Sequence, residues 1–322
     1  MMGMEAEPSL EDIRQAHERI RPFIHRTPVL TSATINRMAG GEIFFKCENF
    51  QKAGAFKIRG ACNAVLSLND EEAKRGVATH SSGNHAAALA LAARWRGIPA
   101  YIVMPESAPH VKKLAVAGYG AEIIFCRPTL EARERALAEV LARTGAAFVH
   151  PYNDLRVITG QATAAMELCE QAQKLDVVVA PVGGGGLLSG TAVALSLVAP
   201  KTAVIATEPE RADDAYRSFR SGHLVPSLHP NTIADGLLTS LGDLTFPIIQ
   251  RYVKDIVLVS EESIVDAMRC LWERMKILVE PSAAVPLGAI LSRRLDVAGR
   301  RAGVIVSGGN VDLDRLPWSP RS

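Results

Sequence analysis

From about residue 76 the chain settles into a strong alternation of two patterns. Short apolar runs at Val77–Thr79, Ala100–Met104, Ile123–Cys126, Ala147–Val149, Val177–Ala180, Val204–Thr207, Ile256–Val259 and Val304–Val306 predict strands. Between them, longer stretches such as Ala86–Arg96, Thr129–Arg143, Thr163–Gln173 and Ile264–Met275 predict helices. Strands alternating with helices of this length predict parallel α/β sheets. Nearer the start, Ser9-Leu10-Glu11-Asp12 reads as a capping box. It opens a helix with Ile13, Ala16 and Ile20 on one face, which Pro22 stops, and a strand region follows through Ile43-Phe44-Phe45. No internal repeat, low-complexity tract or heptad pattern interrupts this order. The polar segment at 67–75 and the end of a strand-like run near Pro151 mark two crossings between lobes. Residues 1–66 and 151–322 are therefore expected to form a large domain, with 67–150 a small domain inserted into it.

The length, 322 residues, suits two such lobes, and 48% hydrophobic with 22% charged residues is ordinary for a soluble globular chain. The formal net charge is +2 and the basic residues form no stripe, which argues against a nucleic-acid partner. No apolar run reaches the ~18 residues of a membrane helix. Met1 to Leu10 lacks the charged start and apolar stretch of a signal peptide. Cys47, Cys62, Cys126, Cys169 and Cys270 are scattered, odd in number and never spaced as CxxC, which points to reduced thiols and a cytoplasmic protein.

Chemistry concentrates in four places. Gly183, Gly184, Gly185 and Gly186 follow the run Val177–Ala180 and precede the helix-like run from Leu187 to Leu197. Consecutive glycines lose much backbone freedom on folding, so something must need bare backbone there. A strand, a glycine run and a helix start together make a cradle of N–H groups for an anion such as phosphate. Ser81-Ser82-Gly83-Asn84-His85 follows another strand and opens an Ala-rich helix; a plain N-cap accounts for one of those residues, not for all five. Ser307-Gly308-Gly309-Asn310 follows the strand Val304–Val306. The fourth place is Ala55-Phe56-Lys57-Ile58-Arg59-Gly60, where a lysine sits between apolar neighbours; alone, it reads most simply as a snorkelling surface residue.

Together the four motifs resemble the serine/threonine dehydratase and serine racemase group, the fold-type II pyridoxal-phosphate enzymes, over Ile13 to Asp312. The resemblance implies a two-lobed, open-sheet α/β fold like that of the tryptophan synthase β chain, with the large domain binding pyridoxal 5'-phosphate and the small one closing over the substrate. Lys57 matches the lysine that binds the cofactor covalently, although this chain has Ala55 where the family usually has Ser. The resemblance further implies that Phe56 packs beside the ring, Asn84 bonds the 3'-oxygen, and Gly183–Gly186 with Leu187 cradle the phosphate. By the same match Ser307 faces the pyridine nitrogen and Gly236 borders the cofactor. Ser81, Ser82, Gly83, Asn84 and His85 are expected to bind the substrate carboxylate. A free Lys57 amine can take the α-proton. A neutral Ser307 hydroxyl does not hold the ring nitrogen protonated as an Asp would, which leans the chemistry towards prompt β-elimination.

The segment Glu208-Pro209-Glu210-Arg211-Ala212-Asp213-Asp214 resembles the family's divalent-cation site, in which Glu208, the Ala212 carbonyl and Asp214 hold Mg²⁺, or Ca²⁺ or Mn²⁺. The resemblance also implies a homodimer. Dehydration of a 3-hydroxy amino acid such as L-threonine or L-serine to a 2-oxo acid and ammonia is the main expectation. Serine racemisation and 3-hydroxyaspartate dehydration are the alternatives: Ser82 matches the racemase acid and serves as the second catalytic residue, whereas Tyr152 in His150-Pro151-Tyr152-Asn153-Asp154 departs from the mammalian racemase pattern. A substrate with a β-carboxylate needs an added cation, for which Lys112, Lys113 and Arg59 are candidates. Arg133 is a candidate for closing the small lobe. Two rivals lie outside the family. A dinucleotide site fails because Leu188 or Ser189 stands where GxGxxG needs its third glycine. A non-catalytic cofactor carrier would need no acid–base group. The chain stops soon after Ser307, so the regulatory domain of long biosynthetic threonine deaminases is not expected.

Overall fold

A computed structural model describes residues 7–318 apart from Ser82 and Pro109, and apart from the side chains of His110 and Val111. Two sheets organise the chain. The larger has the order β1-β2-β10-β7-β8-β9, built from β1 (Val29–Leu30), β2 (Glu42–Cys47), β7 (Val177–Pro181), β8 (Ala203–Pro209), β9 (Asp255–Val259) and β10 (Arg301–Val306). Only the β1–β2 pair in it is antiparallel. The smaller is all parallel, in the order β5-β4-β3-β6, from β3 (Val77–His80), β4 (Ala100–Pro105), β5 (Glu122–Cys126) and β6 (Ala147–Phe148). The smaller sheet lies wholly between residues 77 and 148.

The apolar runs form strands because both faces of the large sheet are covered. Val177 and Val179 point into one core with Phe45, Val304 and the helix Pro281–Leu291. Val178 and Ala180 point into the opposite core with Ile305 and the helices Leu155–Gln171 and Gly186–Val198. That is the two-residue alternation of a strand, expressed between two apolar layers. The Ser9 capping box is present, with both reciprocal bonds, and its helix ends at Ile20.

Several element bounds differ from the sequence expectation. The helix expected at Thr163–Gln173 starts at Leu155, because the Asp154 side chain caps it by accepting from the Arg156 amide. The stretch Ile264–Met275 is a helix at Glu261–Cys270 followed by a π turn at Leu271–Met275. The polar segment 67–75 holds a short helix, Asp70–Arg75, with its own capping box from Asn69 to Glu72.

The helix Lys57–Leu66 lies between the two sheets. Its Ile58, Ala61, Cys62, Ala64 and Val65 join the core that contains Val77, Ile102 and Met104 of the smaller sheet. Its Gly60 backs onto Gly160 of the helix Leu155–Gln171, so closely that a methyl group on Gly160 would lie 2.6 Å from the Gly60 Cα. The loops leaving the carboxyl ends of β3, β6, β7 and β10 carry Ser81, His150, Gly183 and Ser307 respectively. Those ends are where open α/β sheets bind ligands. No helix among the described residues is long and apolar enough to cross a membrane.

Candidate active site

The segment that leads into Lys57 is tied to the turn after β10. Ala55 bridges to Gly308, and the Phe56 amide donates to the Ser307 carbonyl at 3.0 Å. This fixes the first turn of the helix Lys57–Leu66. The Lys57 ammonium donates to the Pro151 carbonyl at 2.8 Å and lies 5.2 Å from the centre of the Phe56 ring. Burial strips water from the amine and lowers its pKa to about 8, with the Glu280 charge acting in the opposite sense.

From Lys57 the contacts run round the cleft and close on themselves. Next to Pro151, Tyr152 packs on the glycine loop: a methyl group on Gly184 would lie 2.4 Å from its ring, and one on Gly186 2.9 Å from its Cβ. A methyl group on Gly183 would meet the Leu237 Cα at 2.9 Å, and the Gly236 amide donates to Ser282 Oγ at 3.0 Å. Two residues before Ser282, Glu280 accepts from Asn84 Nδ2 at 2.8 and 3.1 Å. Asn84 Oδ1 accepts from Asn310 Nδ2 at 2.9 Å, and Asn310 ends the turn that Ser307 begins. The structure thereby brings together Lys57, Phe56, Asn84, Gly183–Gly186, Gly236 and Ser307, residues that lie far apart in sequence.

The glycine loop combines close packing with free amides. Gly185 sits at φ 91 as the N-cap of the helix Gly186–Val198, where no side chain caps the helix. Among the described residues, the amides from Gly183 to Leu187 donate to no protein acceptor. Free N–H groups at a helix start, with the positive end of the helix dipole behind them, favour an anion. Leu187 is buried behind this loop and Ser307 is 3% exposed.

In the Ser81–His85 loop, the Ser81 hydroxyl accepts from the Gly83 amide at 3.3 Å. The helix Asn84–Arg96 has Gly83 as its N-cap and no side-chain cap, so its first amides have no acceptor within the helix. His85 Nε2 faces the Val149 carbonyl at 3.2 Å, which assigns the proton to that nitrogen, and burial holds the ring well below its ordinary pKa. His85 is thus neutral and turned into the core, with its backbone amide at the loop. Ser82, expected as an acid and as a substrate ligand, lies outside the described residues.

Glu280 escaped the sequence reading. It is 2% exposed, and burial together with the Asp235 charge raises its pKa to about 7, while Asn84 pulls the other way. A carboxyl near neutrality, hydrogen-bonded to Asn84 and felt by Lys57, belongs to the site. The only sequence signal was a lone acid between Val279 and Pro281, which reads as an ordinary helix start. His150 was also passed over: its Nδ1 accepts from the Tyr152 and Asn153 amides at 3.3 and 2.9 Å, and burial lowers its pKa to about 4.

Of the cations proposed for a β-carboxylate, Arg59 is excluded: it is fully buried and bound to Glu48 and Glu167. Lys113 donates to the Glu106 carbonyl at 2.6 Å and lies over the Phe125 ring. Lys112 reaches over Gly83 and pairs with Asp235. Arg133 acts on His80, holding its pKa down behind the larger effect of burial, and its Nε has no partner among the described residues.

In the acidic segment, Glu208 accepts from the Ala215 and Tyr216 amides at 2.9 and 2.8 Å. Ala212 is buried, and both Asp214 oxygens are buried without a partner among the described residues. Burial raises Glu208 to about 9 and Asp214 to about 6. No group of three or more His, Cys, Asp or Glu side chains positioned for a metal occurs among the described residues.

Comparison with known proteins agrees with this geometry. Residues 20–308 match the family model described as "Pyridoxal-phosphate dependent enzyme". The chain is 56% identical to the beta-hydroxyaspartate dehydratase of Paracoccus denitrificans over 97% of its own length and 99% of the relative's. The structure of Dictyostelium discoideum serine racemase superposes with a TM-score of 0.92 at 51% identity, over 96% of this chain and 100% of that one. The structure of T.th. threonine deaminase superposes with a TM-score of 0.90 at 43% identity, over 95% of this chain and 99% of that one.

Proposed function

This chain belongs to the pyridoxal-phosphate-dependent enzymes of fold type II, and on that footing we propose that it eliminates water from a 3-hydroxy amino acid, yielding a 2-oxo acid and ammonia. Among such substrates we place 3-hydroxyaspartate ahead of L-threonine and L-serine, because the 56% identical relative is a beta-hydroxyaspartate dehydratase. The observation that carries the reading is the closed ring of contacts around Lys57.

The residues fit the cofactor. An amine with its pKa brought to about 8, an uncapped helix start with free glycine amides, and a buried serine face one cleft. Pyridoxal phosphate, when bound, supplies a sink for the electron pair left on the substrate α-carbon. Lys57 would hold it and, once released, serve as the base. The amides of Gly183–Gly186 and Leu187 grip the phosphate, Phe56 flanks the ring, and Asn84, held by Glu280 and Asn310, addresses the 3'-oxygen. Ser307 would face the pyridine nitrogen and Gly236 would line the ring edge. In the loop from Ser81 to His85, the amides of Asn84 and His85, which have no protein acceptor among the described residues, take the substrate carboxylate. One proton passes from the α-carbon to the Lys57 amine, and the β-hydroxyl takes that proton from the Lys57 ammonium as its C–O bond breaks and leaves as water. The released enamine takes up water and loses ammonia.

Racemisation is the second reading, favoured by the 51% identity to a serine racemase; Ser82 would supply the acid opposite Lys57. For the acidic segment we propose Glu208, the Ala212 carbonyl and Asp214 as ligands of a divalent cation such as Mg²⁺, supported by buried carboxylates held well above their ordinary pKa. We further propose a large domain of residues 1–66 and 151–322, a small closing domain of 67–150, a homodimer and a cytoplasmic location.

Borohydride reduction of the holoenzyme, followed by peptide mapping, is expected to mark Lys57. Lys57→Ala should lower the release of 2-oxo acid at least about 10³-fold with an unchanged circular dichroism spectrum. A panel of 3-hydroxyaspartate, L-threonine, L-serine and D-serine, scored for 2-oxo acid and for inverted amino acid, separates elimination from racemisation. Inversion without 2-oxo acid from any of them would overturn the main reading.

A further inference from the structure

We infer that Lys112 selects for a second carboxylate on the ligand, with Asp235 standing in for that carboxylate when none is present. The inference deepens the elimination reading by assigning substrate class to one residue. Lys112 projects from the helix His110–Gly118, which belongs to the segment of the smaller sheet, and crosses the loop proposed to take the α-carboxylate. Its Nζ, Cδ and Cε lie 3.4, 3.7 and 3.9 Å from where a methyl group on Gly83 would sit. The ammonium pairs with Asp235, which adjoins Gly236, and Gly236 in turn lies beside Gly183. One lysine therefore spans the cleft between the carboxylate loop and the glycine loop.

Three other cations are committed elsewhere, which leaves Arg133, whose Nε has no partner among the described residues, as the rival. Lys57 is bonded to Pro151, Arg59 to Glu48 and Glu167, and Lys113 to Glu106. The present partner of Lys112 is replaceable. The Lys112 side chain is 13% exposed, but Asp235 is 46% exposed, so water on the Asp235 side screens the pair and weakens it. A ligand with a carboxylate two carbons from its α-carboxylate can displace Asp235 into solvent and keep the lysine paired. A ligand with an uncharged side chain leaves the Lys112–Asp235 pair in place. The exchange moves no proton and forms no bond.

The test measures binding of two unreactive acids to the holoenzyme by calorimetry: succinate, and butyrate, which has a methyl group in place of the second carboxylate. The wild-type protein should bind succinate about tenfold or more tighter than butyrate, as a charge-assisted contact at a partly desolvated lysine allows. Lys112→Gln should bring that ratio close to one with butyrate affinity within about twofold of wild type, and Lys112→Arg should keep part of the ratio. Asp235→Asn, which removes the competing carboxylate, should tighten succinate. In turnover, Lys112→Gln should raise KM for 3-hydroxyaspartate by a much larger factor than KM for L-serine. A wild-type ratio near one overturns the inference. So does a ratio that survives Lys112→Gln, or one lost instead in Arg133→Gln. Equal weakening of both acids in Lys112→Gln would make the pair a structural clasp and overturns it as well. If no 3-hydroxy amino acid gives a 2-oxo acid but the succinate preference still depends on Lys112, the elimination reading falls and the carboxylate site stands.

Discussion

Two of the clusters in which this protein buries carboxylates treat them in opposite ways. Around Arg59 the charges are matched. Its five N–H donors are all used, on Glu48, Glu167 and Thr163, while Lys46 donates to Glu167, the Thr27 carbonyl and Gln171. Burial pushes Glu167 upward, but Arg59 and Lys46 hold its pKa below the ordinary value. Around Glu208 no cation is bonded to either buried carboxyl, and Arg217, tied to Asp213, acts on Asp214 only at a distance. Glu208 has only backbone amides, neither Asp214 oxygen has a partner of good geometry among the described residues, and burial outweighs the pull of Ser227 and Arg217 and drives both carboxyls up. A saturated cluster is a structural part, here one that fixes the helix whose first residue is Lys57. An unsaturated one at similar depth is a demand for a ligand.

The sharpest way to break that comparison is Arg59→Met, which leaves two buried carboxylates facing one lysine. It should cost about 3–5 kcal/mol in denaturant unfolding. A loss below about 1 kcal/mol would mean that the cluster tolerates imbalance after all.

At the other cluster the sign reverses. Glu208 is raised from 4.5 to about 9, so the folded state binds a proton that the unfolded state has released. Its contribution is fully present below pH 4.5 and is lost as pH rises through about 9. In chelator, the melting temperature of the wild type should therefore fall across that interval, and Glu208→Gln should flatten the slope. Adding Mg²⁺ at pH 8 should raise the melting temperature of the wild type by several degrees and leave a Glu208→Gln/Asp214→Asn variant unmoved. The smallest effect is the surface control. Arg26→Ala breaks an ion pair with Glu170 in which both side chains are more than half exposed, and should change stability by less than about 1 kcal/mol.

What could be read from the sequence follows the same division between local and distant partners. The runs that became β3, β7 and β10 were legible because strands covered on both faces are apolar throughout. The glycine run was legible because its neighbours in sequence are its neighbours in function. Arg59 is not: its sequence neighbours leave it a candidate for binding substrate, whereas one of its acidic partners, Glu167, lies 108 residues away. Glu280 was missed for a like reason, since its meaning depends on Asn84, 196 residues distant. The early start of the helix Leu155–Gln171 rests on a single capping side chain, Asp154, which a scan for apolar runs does not register.

The position of β10 also constrains how the protein can be made. It is the last of the ten described strands, yet it lies in the middle of the large sheet, parallel to both β2 and β7. A ribosome delivering this chain releases Lys57 long before the strand whose outgoing turn anchors it. Until Val304 has slotted between Phe45 and Val179, the nascent protein exposes two unpaired strand edges. Assembly of the catalytic cleft is thus a late and non-local event in biosynthesis, and the interval before it is when the polypeptide is most open to misassociation.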